Sequence, residues 1–205
     1  MNPYILLAKS AVENYIKEKK IISPPENLPE EFLTKKSGVF VTIEKGGKLK
    51  GCIGTYLATK ENITEEIISN AIAAATEDYR FGPIQKEELL ELSYTVYVLN
   101  KPKLVTELNP VKWASPKIRR ILFDRVNPKK YGIIIKTMPI SSPGIDVVFN
   151  GHTVPKSGLL LPNLDGIDTA EQQIAIACQK GEINPEIEKI IIYKFTVEKF
   201  SDKND

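Results

Sequence analysis

The sequence predicts an α+β fold, with mostly antiparallel sheets and helices packed on them. Three observations carry this expectation. Apolar alternation marks strands joined by tight turn signals at Gly46-Gly47 and Asn150-Gly151. Capped amphipathic helices lie between those strands. The order strand, strand, helix, strand occurs twice along the chain, which suggests an internal duplication.

The elements follow in order. Asn2 and Pro3 supply an N-cap and a first-turn proline, and Ala8, Ala11, Val12, Tyr15 and Ile16 form one apolar stripe to about Lys20. Ser23 to Pro29 holds three prolines and reads as a connector. Val39, Val41 and Ile43 alternate with Phe40, Thr42 and Glu44 as a strand. Gly46-Gly47 turns it, and Lys48 to Leu57 returns. Asn62 and Glu65 resemble a capping box ahead of a helix through Ile67, Ile68, Ala71, Ile72 and Ala75. The loop Asp78 to Pro83, a helical turn at Gln85 to Glu91 and a strand Leu92 to Leu99 complete the first copy. The second copy reads as a strand Tyr131 to Lys136, a hairpin Val147 to Val154 and further strand at Leu159 to Leu161. It continues with a helix capped by Asp168 and a final strand Lys189 to Val197.

Bulk properties narrow the function classes. The chain has 205 residues, 42% of them apolar and 26% charged, as in ordinary globular proteins. Its net charge of +2 is too small to drive non-specific nucleic-acid binding. No apolar run reaches the roughly 18 residues that span a bilayer. Lys9, Glu13, Lys17 and Glu18 interrupt any leader-like stretch, so the expected location is cytoplasmic, with Cys52 and Cys178 reduced. Two cysteines and the single His152 match no zinc spacing, and neither metal nor cofactor is expected. Abundant Ile, Lys and Glu with two Met point to a thermophilic or AT-rich source.

The run Lys48-Leu49-Lys50-Gly51-Cys52-Ile53-Gly54-Thr55-Tyr56 is the strongest candidate site. Glycine weakens a strand, so two of them beside a thiol mark a bulge or a close approach by backbone or ligand. Lys50, two residues from Cys52, would favour the reactive thiolate. The alternative is packing. With Gly46-Gly47 as the two turn residues, Cys52 falls opposite Val41 and Gly54 opposite Val39, on the core face, unless a bulge at Gly51 breaks the register. Arg80 can hold a carboxylate or phosphate, or can pair with Asp78 and staple its own loop. His152 reads as an exposed hairpin residue and Cys178 as core. Lys112 to Lys130 carries seven cations, including Arg119, against Asp124, with Trp113 and Phe123 interleaved. It reads either as an RNA-binding surface or as a helix packed through Ile118, Ile121 and Leu122 with a solvated basic face. No phosphate-binding Gly-rich loop, GxSxG elbow or dinucleotide fingerprint is present.

Four motifs carry a resemblance across most of the chain. They are Leu49-Lys50-Gly51-Cys52-Ile53-Gly54-Thr55, Asp78-Tyr79-Arg80-Phe81-Gly82-Pro83, Ser157 to Pro162, and Gly166 to Gln173 running into Cys178-Gln179-Lys180. Together they resemble the AMMECR-type domain family, also called AmmeMemoRadiSam system protein A, as a single domain over residues 1–205. The resemblance implies an α+β fold of two unequal lobes with the first motif at a cleft. It also implies Memo-type and radical-SAM partners in a modification pathway; it assigns no activity. Lys50 replaces the family's usual arginine, losing the planar fork while keeping the charge. Thr137 to Val154 is longer than the family usually has.

Three functions follow as expectations. In the first, the protein binds a small anionic ligand, or a protein or nucleotide segment, at Lys50, Gly51, Cys52, Gly54, Asp78 and Arg80. In the second, Cys52 is the catalytic nucleophile of a group-transfer enzyme. In the third, the basic segment binds RNA, although nucleic acid is the less expected partner.

Overall fold

The computed structural model describes residues 2–26, 28–138 and 155–202 in full, and residues 148–149 and 152–153 by their backbone. The chain forms two compact units, residues 1–100 with 198–205 and residues 101–197.

The first unit opens with helix α1 (Pro3–Glu18), where the Asn2 side chain accepts from the Tyr4 N–H at 3.0 Å. Ala8, Ala11 and Val12 are buried as the stripe requires. A short helix, α2 (Glu30–Thr34), follows the proline connector and buries Phe32. Strands β1 (Val39–Lys45) and β2 (Lys48–Gly54) form the first hairpin. Gly46 and Gly47 turn it with φ of +54° and +78°, the left-handed pair that a tight two-residue hairpin needs. Helix α3 (Ile63–Thr76) starts at Asn62, whose Oδ1 accepts from the Glu65 N–H at 3.0 Å. A 3-10 helix (Lys86–Glu91) leads into β3 (Leu92–Leu99). Helices α1 and α3 cover one face of the sheet, burying Val39, Val41, Ile43, Tyr94, Val96 and Val98.

The second unit contains β4 (Lys103–Leu108), α4 (Pro110–Ala114), α5 (Pro116–Arg125), β5 (Gly132–Thr137) and the short pair β6 (Val148–Phe149) and β7 (His152–Thr153). It ends with β8 (Ser157–Leu160), α6 (Ala170–Lys180) and β9 (Ile190–Phe195); β10 (Val197–Ser201) returns to the first unit's sheet. Its core gathers Ile133, Ile135, Leu160, Ile174, Ala177, Ile190 and Ile192.

The duplication is visible in the topology. The sheets run β10-β3-β1-β2 and β4-β9-β5-β8, so β1, β2, α3 and β3 correspond to β5, β8, α6 and β9. Each fourth strand is contributed reciprocally. Strand β4 follows β3 in the chain but joins β9; β10 follows β9 but joins β3. The registers of β1 with β2 and β3, and of β5 with β8 and β9, are antiparallel.

Several expectations are corrected. The strand equivalent to β2 is β8, not the hairpin at Val147 to Val154; of that hairpin β6 and β7 pair, and the Asn150-Gly151 turn lies outside the described residues, as does the His152 side chain. Thr169, not Asp168, caps α6, in a reciprocal capping box with Gln172. The final strand breaks at Thr196 into β9 and β10. Ile121 is 45% exposed, so α5 packs through Leu122, Ile118 and Phe123. Its Arg120 and Arg125 are exposed, the solvated-face alternative.

The correction that matters most concerns β2. The pairs Lys45–Lys48 and Glu44–Leu49 follow the turn, but Ile43 then pairs with Gly51, Thr42 with Cys52 and Phe40 with Gly54. Lys50 is the extra residue of a bulge. Without it, Lys50 would lie opposite Ile43 under α3, at the cost of burying an ammonium. The bulge instead puts Gly51 and Ile53 toward the helices. Cys52 therefore faces away from the core, beside Thr42.

Candidate functional site

Gly51 shows how tightly the helix lies on this strand. A Cβ built there would stand 1.9 Å from the Ala74 carbonyl oxygen. Gly54 is equally constrained, since its Cβ would meet the Val39 carbonyl oxygen at 2.3 Å. Both glycines are therefore approached by the protein's own backbone, one of the two approaches that glycines in a strand suggest.

That approach brings the end of α3 to Cys52. Four residues beyond Ala74, the Asp78 carboxylate accepts from the Cys52 N–H at 2.9 Å. It also accepts from Arg80 Nε at 2.9 Å and Nη2 at 2.7 Å. The Arg80 Nη2 lies 3.4 Å from the Cys52 carbonyl oxygen, so the guanidinium is clamped along the edge of β2. Its Nη1 has no partner among the described residues. The bidentate pair with Arg80 pulls the Asp78 pKa from 3.8 down to about 2 against the opposing effect of burial, with help from the Cys52 N–H. Thr42 Oγ1 donates to Cys52 Sγ at 3.2 Å. Asp78 is the staple foreseen for Arg80, and it also fixes the backbone of the thiol residue 26 positions earlier.

Lys50 does not join this group. Its ammonium pairs with Glu88 at 3.2 Å, which Lys45 shares at 3.5 Å. The structure thus brings together Cys52, Thr42, Asp78 and Arg80, and takes Lys50, Gly51 and Gly54 to other duties. Tyr79 is 96% exposed, and Arg80 stands over the Phe81 ring at 5.3 Å, so an aromatic loop flanks the clamp. The candidate site set leaves out Tyr79 and Thr42; the strand register identifies Thr42, and exposure identifies Tyr79.

A buried carboxylate holds the loop after the motif. Glu66, 1% exposed, accepts from Thr55 Oγ1 at 2.5 Å, Thr59 N at 2.7 Å, Lys60 N at 2.8 Å and Thr59 Oγ1 at 3.0 Å. Burial raises its pKa, but the bonds from Thr55, Thr59 and Lys60 outweigh this and hold it below 4.5. Glu66 lies in the first turn of α3, and no sequence spacing singles it out.

The second copy lacks this apparatus. A Cβ on Gly158 of β8 would stand 1.8 Å from the Ala177 carbonyl oxygen, repeating the Gly51 contact. Four residues beyond Ala177, however, lies Gly181, whose own Cβ would collide with the Gly158 nitrogen at 2.7 Å. Leu159 takes the place of Cys52 and the buried Ile134 that of Thr42. The scaffold is repeated; the thiol, carboxylate and guanidinium are not.

Among the described residues, no cluster of three or more His, Cys, Asp or Glu could hold a metal. No described helix is long and apolar enough to cross a membrane.

Comparison with known proteins identifies the scaffold. The sequence profile of the AMMECR1 family matches residues 5–200. The chain belongs to the AMMECR1 family. A Thermotoga maritima relative is 38% identical over 97% of this chain and 97% of its own. A Clostridium acetobutylicum relative is 35% identical over 97% of this chain, which accounts for only 35% of that protein. The crystal structure of a Pyrococcus horikoshii protein superposes with a TM-score of 0.74 at 31% identity, covering 98% of this chain and 90% of that one. The α+β architecture expected from the sequence is thus an AMMECR1 fold, and the clamp on Cys52 sits in two of the motifs by which the membership was read.

The Asp78 pair sets an acid-stability test. Because the folded pKa is depressed, its contribution is full above pH 3.8 and is lost as pH falls toward about 2. That contribution is about 2 kcal/mol. The stability gap between wild type and Asp78→Asn should be widest near neutral pH and close by about that amount on acidification, as read by urea unfolding. A gap independent of pH would refute the assignment.

Proposed function

We propose that the Cys52–Arg80 surface binds a small anionic ligand, or a carboxylate- or phosphate-bearing segment of a partner. The observation carrying this reading is the clamped guanidinium. Asp78 fixes Nε and Nη2, leaving Nη1 as a prepositioned donor beside Cys52. Preorganised arginine loses little rotamer freedom on binding a carboxylate or phosphate. The asymmetry of the two copies supports it, because packing alone does not require the pair. The protein works in a modification pathway with Memo-type and radical-SAM partners, as its family resemblance implies.

A second reading, Cys52 as nucleophile, is favoured by one observation: the bulge moves the thiol out of the core. Alkylation separates the readings. Native protein should take one iodoacetamide, at Cys52. Cys178, 5% exposed and with its pKa pushed up to about 11 by burial, should react only after unfolding. Iodoacetate should label Cys52 several-fold faster in wild type than in Arg80→Gln, and inorganic phosphate should slow that labelling in wild type alone. Equal rates in both proteins with no effect of phosphate would refute anion binding. Native Cys52 that stays unreactive would remove the nucleophile.

A further inference from the structure

The second unit contains a cavity of about 410 Å³ that is separate from the Cys52 group. Its walls are the Trp113 and Phe123 rings, from α4 and α5. Its floor includes Ile174, Cys178 and Ile183, all buried. Its polar lining includes one cation, Arg119, and two carboxylates, Glu171 and Glu186.

The arrangement of charge is informative. Arg119 is half-buried, yet its guanidinium makes no hydrogen bond or ion pair with any described residue. The Glu171 and Glu186 carboxylates make none either. Here they stand apart over an apolar, aromatic interior. An anion such as phosphate would meet Arg119 but also two carboxylates. A simple cation would leave Arg119 unanswered. A zwitterion with an apolar body answers Arg119, one of the carboxylates and the floor.

We infer that this cavity binds a free α-amino acid with an apolar or aromatic side chain. The carboxylate pairs with Arg119 and the ammonium with Glu171 or Glu186. The side chain enters between Trp113 and Phe123 over Ile174. Pockets of this size and mixed lining suit small molecules, and aromatic walls add stacking and cation–π contacts.

Trp113 is the chain's only tryptophan, so its fluorescence reports occupancy directly. L-phenylalanine and L-leucine should change it saturably at up to millimolar concentration. Phenethylamine, lacking the carboxylate, and 3-phenylpropionate, lacking the amine, should each bind roughly three- to ten-fold more weakly. Arg119→Glu should abolish the preference for L-phenylalanine over phenethylamine. Ala175→Phe, which fills the cavity from an exposed helix position, should abolish the response. Melting curves of both variants confirm folding. No saturable response, equal binding of the analogues, or a response that survives Ala175→Phe in folded protein each overturns the proposal. Cys52 alkylation is a separate readout, so failure here leaves the anion reading standing.

Discussion

Gly51→Ala should destabilise the protein by about 3 kcal/mol or more, lowering the melting temperature by about 6–12 °C. The sign is what makes this informative. In an unencumbered strand, alanine gains up to about 1 kcal/mol over glycine. At Gly51 the added methyl would lie 1.9 Å from the Ala74 carbonyl oxygen, which belongs to a helix backbone and cannot swing aside. Either α3 lifts from the sheet or β2 shifts, and both moves disturb the bond that the Cys52 N–H donates to Asp78. Gly158→Ala should behave alike, because Ala177 occupies the equivalent place at 1.8 Å. Gly82, where an added Cβ meets nothing within 4 Å, is the control and should change stability by less than about 0.5 kcal/mol. Thermal melts of the three variants decide the matter. A neutral Gly51→Ala would refute the close packing of α3 on β2.

Glu66→Ala should cost about 3 kcal/mol. Removing this carboxylate leaves the Thr59 and Lys60 N–H groups and the Thr55 hydroxyl without their acceptor. Glu66→Gln keeps the shape but turns an amide toward donors, so it should recover only part of the loss. The depressed pKa fixes the pH dependence. Glu66 contributes fully above 4.5, and the contribution fades as pH falls through its lower folded value, so the Gln variant's deficit should shrink in acid. Urea titrations at neutral and acid pH measure this. A deficit for Glu66→Gln that grows in acid would contradict it. The loop Thr55–Lys60 follows directly on the Cys52 strand, so the same variants should also alter Cys52 alkylation.

Helices with caps and stripes were legible because their determinants are local. Asn2, Asn62 and the Gly46-Gly47 turn each act within a few residues. The duplicated order was legible in outline for the same reason. Strand β4 was not, because Lys103, Thr106 and Glu107 give it no apolar alternation and only pairing with β9 makes it a strand. The Cys52 register failed by one residue. The turn fixes the start of the hairpin, but the bulge at Lys50 is imposed by α3, which tolerates only glycine beneath Ala74. A signal was present: the unbulged register would have buried Lys50, and Gly51 with Ile53 offered a better inward set. The glycines announced a close approach without saying what approaches. The clamp itself spans 26 residues, and no local pattern reports it.

The crossed edge strands bear on how the protein is made. A ribosome releases residues 1–100 first, yet the sheet they build has a vacant margin until Val197–Ser201 emerges. Strand β3 therefore spends most of synthesis with a bare hydrogen-bonding edge, the kind that recruits other chains. Severing the chain between β4 and β5 would leave each sheet one strand short, with its missing strand on the other fragment. Mixed fragments would then regain stability only by complementing one another, so the duplicated halves have become obligate companions.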